Sequence, residues 1–337
     1  MQWEKDMDHT RRKTRRLALA LAIAAVGFST VFAMPSVAAD RYPARPITII
    51  APFAPGTGTD AITRLIADHL QRAFGSPVVV DNKPGAGGTI GSAAAARAQP
   101  NGYTLLLASN TTHAVVKSLY SHVPYDPERD FTPVARVAGY GSMLVVNLGL
   151  PVATPAEFVA YAKSNPGKVR YGYGNSTGLI SGETLKQALG IDIIAVPYRS
   201  NPPALTDVLN GSIEAMIVDL ASGMPQVRAG KIRPIAVVAS RRSSVLPELP
   251  TLSETVVPGF NVRAWGGVVA PAGTPREIVT LLSEELRKFT DRPDIKEKLQ
   301  AMGFEAFYAG AEEFSAFMKS EAVRWTQMAK AAGIKPE

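Results

Sequence analysis

The sequence predicts an α/β protein, on three observations. Short apolar runs alternate with stretches of helical periodicity along the chain. Several runs end in turns rich in glycine, serine and threonine, and two helix starts carry clear caps. At 337 residues the chain is long enough for two domains, each with its own core. Hydrophobic residues at 46% and charged residues at 19% suit a folded chain rather than a disordered one.

Residues 1–39 read as an export signal. Arg11, Arg12, Lys13, Arg15 and Arg16 make a basic start, an apolar stretch runs from Leu17 to Phe28, and Val37-Ala38-Ala39 supplies small residues for cleavage near Ala39. An uncleaved anchor is the alternative, but Pro35 and Ser36 interrupt the apolar stretch where cleavage falls. The segment holds six Lys/Arg and three Asp/Glu, leaving 30 basic and 26 acidic residues, a net +4. That balance is no nucleic-acid footprint. Zero cysteines exclude a disulfide framework, thiolate metal sites and a lipid-modified N-terminal cysteine. The expected product is soluble and periplasmic.

In order, Ile47–Ala51 and residues 77–80 and 104–108 read as strands. Between the first two, Ala61, Ile62, Leu65, Ile66, Leu70 and Ala73 form an apolar helical face opposite Arg64, Asp68 and Arg72. Later strands are expected at 144–147, 169–173, 193–196, 215–218, 235–239 and 267–270. Thr154-Pro155-Ala156-Glu157 and Thr274-Pro275-Arg276-Glu277 each predict a capping box with proline at the first helical position. From Thr274 onward three helices and no strand are expected, with Phe314, Phe317, Met318, Trp325 and Met328 packed in the core. Residues 138–143 and 262–265 are the expected crossovers between two lobes.

Three motifs invite an enzymatic reading. Gly56-Thr57-Gly58-Thr59-Asp60-Ala61 matches a G-x-G-x-x-A dinucleotide fingerprint, with Asp81 closing the next strand. Two prolines between strand and first glycine spoil the tight turn that fingerprint needs, and export removes the usual nicotinamide pool. Gly174-Asn175-Ser176-Thr177-Gly178 is a G-x-S-x-G sequence, but every histidine (9, 69, 113, 122) precedes the serine. Asn82-Lys83-Pro84-Gly85-Ala86-Gly87-Gly88-Thr89 lacks the lysine of a phosphate loop. No histidine–carboxylate cluster has metal-ligand spacing. No cofactor and no metal are expected.

What remains is a set of donor-rich turns that follow strands: 52–60, 109–112, 175–178 and 198–201. In α/β sheets such turns lie outside the carboxyl ends of the strands and can converge on one cleft. Strand, turn and helix in Ile47 to Asp60 aim backbone N–H groups and a helix dipole at one point, which favours an anion. No positive side chain lies within 52–60, so dipoles and hydroxyls would hold it. Asp60 is expected to cap local N–H groups with its carboxylate turned away.

At these residues the chain resembles a known family. Segments of that family run in order through it: Tyr42-Pro43-Ala44-Arg45-Pro46-Ile47, Pro52-Phe53 to Asp60, Val80-Asp81-Asn82-Lys83-Pro84-Gly85, and Asn101-Gly102-Tyr103-Thr104-Leu105. Pro124-Tyr125-Asp126-Pro127, Val196-Pro197-Tyr198-Arg199, Ala204-Leu205-Thr206-Asp207 and Ala270-Pro271-Ala272-Gly273-Thr274-Pro275 follow. The chain is similar to the periplasmic solute-binding proteins of tripartite tricarboxylate transporters, also called the Bug family.

The resemblance implies a type II periplasmic-binding-protein fold, two α/β lobes around a ligand cleft joined by a double crossover, and no catalysis. Residues 40–140 and 265–337 would form the first lobe and 141–264 the second. It implies a monomer that captures a small carboxylate, a di- or tricarboxylate or an aromatic acid. The ligand would be delivered to a membrane permease of large and small subunits. One ligand carboxylate would be held by Phe53, Ala54, Pro55, Gly56, Thr57, Gly58, Thr59 and Asp60 with Ser109, Asn110 and Thr111. The second lobe would read the rest through Asn175, Ser176, Thr177, Gly178, Tyr198, Arg199, Ser200 and Asp219. The chain departs from the family pattern at Thr57, at Leu179 and Ile180, and at Arg199 and Ser200. Those changes imply an apolar or aromatic ligand body, with Arg199 a candidate partner for a distal acid. A ligand-sensing subunit for a signalling partner and an exported NAD-type oxidoreductase are the alternative functions.

Overall fold

The computed structural model describes residues 42–336; the export signal expected at 1–39 lies outside them. Eleven strands are described: β1 (Ile47–Ala51), β2 (Val78–Asn82), β3 (Thr104–Ser109), β4 (Phe131–Tyr140), β5 (Ser142–Val146), β6 (Val169–Tyr173), β7 (Ile193–Pro197), β8 (Ala215–Asp219), β9 (Arg233–Val237), β10 (Ala264–Pro271) and β11 (Phe304–Gly310). The helices are α1 (Gly58–Phe74), α2 (Thr89–Ala96), α3 (Val116–Leu119), α4 (Pro155–Ser164), α5 (Ser176–Leu189) and α6 (Asn201–Asn210). They continue with α7 (Leu220–Arg228), α8 (Leu252–Thr255), α9 (Arg276–Asp291), α10 (Pro293–Ala301) and α11 (Ala311–Ala331).

These strands form two sheets, ordered β11-β4-β10-β3-β1-β2 and β7-β6-β8-β5-β9. Each sheet has a parallel trio (β2, β1, β3 and β7, β6, β8) followed by one inserted antiparallel strand. The inserted strands are β10 and β5, the first strands laid down after the chain changes sheet. It leaves the first sheet at Gly141, between β4 and β5, and rejoins it at β10. Two α/β lobes joined by a double crossover, as the resemblance implied, follow from this path.

Helix α1 shows how the sequence writes an element. Ile62, Ile66 and Leu70 are fully buried on one face, while Arg72 and Asp68 pair outside at 2.7 Å. Thr57 caps its start, and Gly75, at φ 66°, ends it in the left-handed conformation that glycine adopts without steric cost. The expected capping box at Thr154 forms: Glu157 N–H donates to Thr154 Oγ1 at 3.2 Å, and Thr154 N–H donates to Glu157 Oε2 at 3.2 Å.

The other expected capping box does not form. Thr274 turns its hydroxyl back to the Pro271 carbonyl at 2.8 Å, and α9 begins without a side-chain cap. A capping box stands instead at Thr251 and Glu254. The tail beyond Thr274 also contains a strand, β11, which pairs with β4 around a bulge between Ala306 and Ala309. Phe314 and Trp325 of α11 are fully buried, with Phe317, Met318 and Met328 packed against the same core.

Candidate functional site

In each lobe the turns after the parallel strands open into helices at one end of the sheet. In the first lobe, Thr57 Oγ1 accepts the Asp60 N–H at 3.2 Å and donates to the Ala54 carbonyl at 2.9 Å. Asp60 folds the loop from within: its carboxylate accepts the Gly56 N–H at 3.0 Å, Asn82 Nδ2 at 2.9 Å and Arg64 Nε at 3.1 Å. Burial pushes the Asp60 carboxyl up, but the bonds from Arg64, Gly56 and Asn82 together hold it below the usual carboxylate range. Asp60 therefore stays ionised and occupied. The first-turn N–H groups of Gly58 and Thr59 have no carbonyl partner within the helix.

After β3 the chain makes a π-helical turn, Asn110–Ala114, in which the Val115 N–H reaches back five residues to the Asn110 carbonyl at 3.0 Å. It is braced from inside by Tyr125, whose hydroxyl donates to the Thr112 carbonyl at 2.8 Å, and by His113, 2.9 Å from Thr112 Oγ1. His113 packs on Phe131 with ring centroids 4.7 Å apart, and burial pushes its pKa down to about 3. It is a neutral structural histidine. His69, at the edge of the α1 core, is buried and lies 3.5 Å from Glu285.

Three more helix starts come from the second lobe. Asn175 caps α5, its Oδ1 accepting the Gly178 N–H at 3.0 Å. The turn before α6 packs so tightly on the turn after β6 that a Cβ on Gly174 would lie 2.1 Å from the Ser200 carbonyl carbon. Asp219 caps α7: Oδ1 accepts the Ser222 N–H at 2.8 Å, and Oδ2 accepts Asn201 Nδ2 at 2.6 Å and Ser222 Oγ at 2.9 Å. Burial raises the Asp219 pKa and outweighs the donors from Ser222 and Asn201. Burial likewise pushes the Tyr140 phenol up, and the nearby Asp219 adds to it.

The lobes meet through these same turns. Asn110 Nδ2 donates to Ser176 Oγ at 3.0 Å and to Thr177 Oγ1 at 3.1 Å. The Thr111 and Ser176 hydroxyls are 2.8 Å apart, and Ser222 Oγ lies 3.2 Å from the Gly56 carbonyl oxygen. These contacts leave an inner cavity of about 20 Å³. Beside it an outer cavity of about 100 Å³ shares Thr111, Gly174 and Asn175 with it.

Of the residues expected at the site, Phe53, Thr57, Gly58, Thr59, Ser109, Asn110, Thr111, Asn175, Thr177 and Asp219 line the inner cavity. Ser176 and Tyr198 line the outer one. Ala54, Pro55, Gly56, Asp60, Gly178 and Ser200 line neither; they belong to the turns that present their neighbours. Arg199 is exposed and lines neither cavity. Tyr140, Gly174 and Asn201 join the inner wall, and Tyr120, Tyr173, Leu179, Ile334 and Lys335 the outer one. Tyr140 ends a strand that sequence periodicity did not show. Tyr120 and Lys335 arrive only through the tertiary path.

The residues that invited an enzymatic reading are engaged in other contacts. Ser176 Oγ is bonded to Asn110 and Thr111 rather than to a histidine. Asp81 forms a half-exposed ion pair with Lys83 at 2.9 Å. Among the described residues no three His, Cys, Asp or Glu side chains gather as metal ligands.

The model of the tripartite tricarboxylate transporter family receptor matches residues 62–334. The chain belongs to that family. A relative from Pseudomonas sp. strain P51, the UPF0065 protein in the tcbD-tcbE intergenic region, is 37% identical over 86% of this chain and 87% of its own length. Among solved structures, Rpa4515 of R. palustris with adipate is 36% identical, with a TM-score of 0.86 over 88% of this chain and 100% of its own. MatC (Rpa3494) from Rhodopseudomonas palustris with bound malate is 30% identical, with a TM-score of 0.80 over 85% and 99%. The chain thus has the type II periplasmic-binding-protein fold of this receptor family. It is a periplasmic solute-binding protein.

Proposed function

We propose that this receptor captures a small carboxylate between its lobes and delivers it to the large and small permease subunits of a tripartite tricarboxylate-type transporter, working as a monomer. The observation that carries the reading is the inner cavity: helix and π-turn N-termini from both lobes meet there, and none of its lining residues is Lys or Arg. Aligned N–H groups and hydroxyls stabilise an anion in such a place without an ion pair. One ligand carboxylate would lie against 53–59 and 109–111, and the facing turns at 175–178, 198–201 and Asp219 would close on the remainder. The relatives with adipate and malate bind carboxylic acids, which supports the same class here.

The division into 40–140 with 265–337 and 141–264, and cleavage near Ala39, belong to the same proposal. Titration calorimetry on refolded, ligand-free protein tests the ligand class. Dicarboxylic and tricarboxylic acids are expected to bind, and their neutral amides are not. An amide that binds as tightly as its acid would remove the carboxylate from the account.

A further inference from the structure

The outer cavity differs in chemistry from the inner one. Its walls include the side chains of Tyr120, Tyr173, Tyr198, Leu179 and Ile334, and its cation is Lys335. Tyr198 offers mainly its ring, because its hydroxyl donates to Asp207 Oδ2 at 2.6 Å. Tyr120 lies over the glycine-rich turn after β2: a Cβ on Gly87 would come 2.5 Å from the Tyr120 hydroxyl. The glycine loop that matched no phosphate site thus makes room for an aromatic wall.

Lys335 is placed by a helix cap. The Ile334 N–H donates to the Ala329 carbonyl at 3.0 Å and the Gly333 N–H to the Lys330 carbonyl at 3.1 Å, with Gly333 at φ +67°. This is a Schellman motif, which fixes the direction in which the chain leaves α11. A Cβ on Gly333 would lie 2.8 Å from Gln187 Nε2 of α5, so the exit is packed against the second lobe. Lys335 forms no ion pair among the described residues. The two cavities share Thr111, Gly174 and Asn175, and Ser176, which closes on Thr111, lines the outer one. A molecule spanning both cavities would part that hydroxyl contact.

We infer that Lys335, at the C-terminal turn, is a specificity-determining residue that reads the distal carboxylate of a diacid ligand. The diacid's first carboxylate lies in the inner cradle, its body against the tyrosine and leucine wall, and its second carboxylate on Lys335. This assigns to the C-terminal turn, rather than to Arg199, the reading of the distal acid, and it rests on the carboxylate reading of the inner cavity. Because Lys335 is exposed, its ion pair is worth a modest factor, about three- to fivefold in affinity.

The test is calorimetry on refolded, ligand-free protein with adipate, terephthalate, succinate and benzoate as probes. Adipate or terephthalate should bind more tightly than succinate and benzoate. Lys335→Ala should weaken the long diacids about three- to fivefold, leave benzoate unchanged, and be rescued by Lys335→Arg. Gly333→Val, which disfavours the positive φ and crowds Gln187, should lose the same discrimination without touching the ligand. Succinate binding as well as adipate, or Lys335→Ala affecting benzoate and diacids alike or not at all, overturns the inference while leaving the cradle intact. If none of the four acids binds, the underlying carboxylate reading fails instead.

Discussion

Gly58 and Asp219 face each other across the two lobes so closely that a Cβ on Gly58 would lie 2.8 Å from Asp219 Oδ1. The first residue of α1 and the cap of α7 therefore meet only because one of them has no side chain. That contact places a carboxylate oxygen beside a helix N-terminus, the arrangement proposed for the ligand.

Gly58→Val should block this approach. A branched side chain would fill the space before the N–H groups of Gly58 and Thr59 and hold the lobes apart. Carboxylate affinity is expected to fall at least tenfold, with little change in the melting temperature of ligand-free protein, and Gly58→Ala should fall between. Calorimetry that finds unchanged affinity for Gly58→Val would move the site elsewhere.

Asp219 should write a slope into the stability curve. Its folded pKa is raised, chiefly by burial, so the folded protein holds this proton more tightly than the unfolded chain does. Its effect is absent below the ordinary aspartate value, grows unfavourable as pH rises from there towards the folded value, and is constant above it. Asp219→Asn should remove that decline. Urea denaturation between pH 3.5 and 8 checks it; parallel curves for the two proteins would contradict the assignment.

Asn110 carries two of the bonds between lobes. At ~0.5–1.5 kcal/mol per bond, Asn110→Ala should weaken ligand about tenfold, chiefly through faster release. Stopped-flow release kinetics would show it. An unchanged off-rate would mean that these bonds do not hold the bound state.

Thr154→Ala should cost ~1 kcal/mol through loss of its capping box, a fall of about 2–4 °C in a chain of this size. Ligand affinity should stay the same, since α4 lines neither cavity. Thermal unfolding and calorimetry on the same variant separate the two effects.

Much of the architecture was legible because local signals agree with the tertiary fold. The α1 face, the Thr154 cap and the strand–turn–helix order all state locally what packing then uses. Strand β4 was not legible: Pro133, Arg136 and Gly139 interrupt its apolar pattern, and Arg136 is accommodated by stacking on Phe317 at 3.9 Å and Phe307 at 4.3 Å, with the charge of Glu321 nearby. Strand β11 hides for a similar reason, since its bulge breaks the period of two. Thr274 shows the converse, a capping sequence whose hydroxyl found a better partner in the Pro271 carbonyl.

The inner site was largely readable, because its residues sit in consecutive donor-rich turns whose local conformation creates the N–H cluster. The outer site was not. Tyr120, Leu179, Ile334 and Lys335 come from separate stretches of sequence, and no spacing announces that a helix cap brings the last two beside the cleft.

The central claim is that N–H groups and hydroxyls from both lobes hold a carboxylate. Thermal melting of refolded, ligand-free protein against a panel of aliphatic and aromatic acids tests it most directly. At least one acid should raise the transition in a dose-dependent way, by ~2.7 kcal/mol of stabilisation at one hundred times its Kd. A response that stays flat across the whole panel would contradict it.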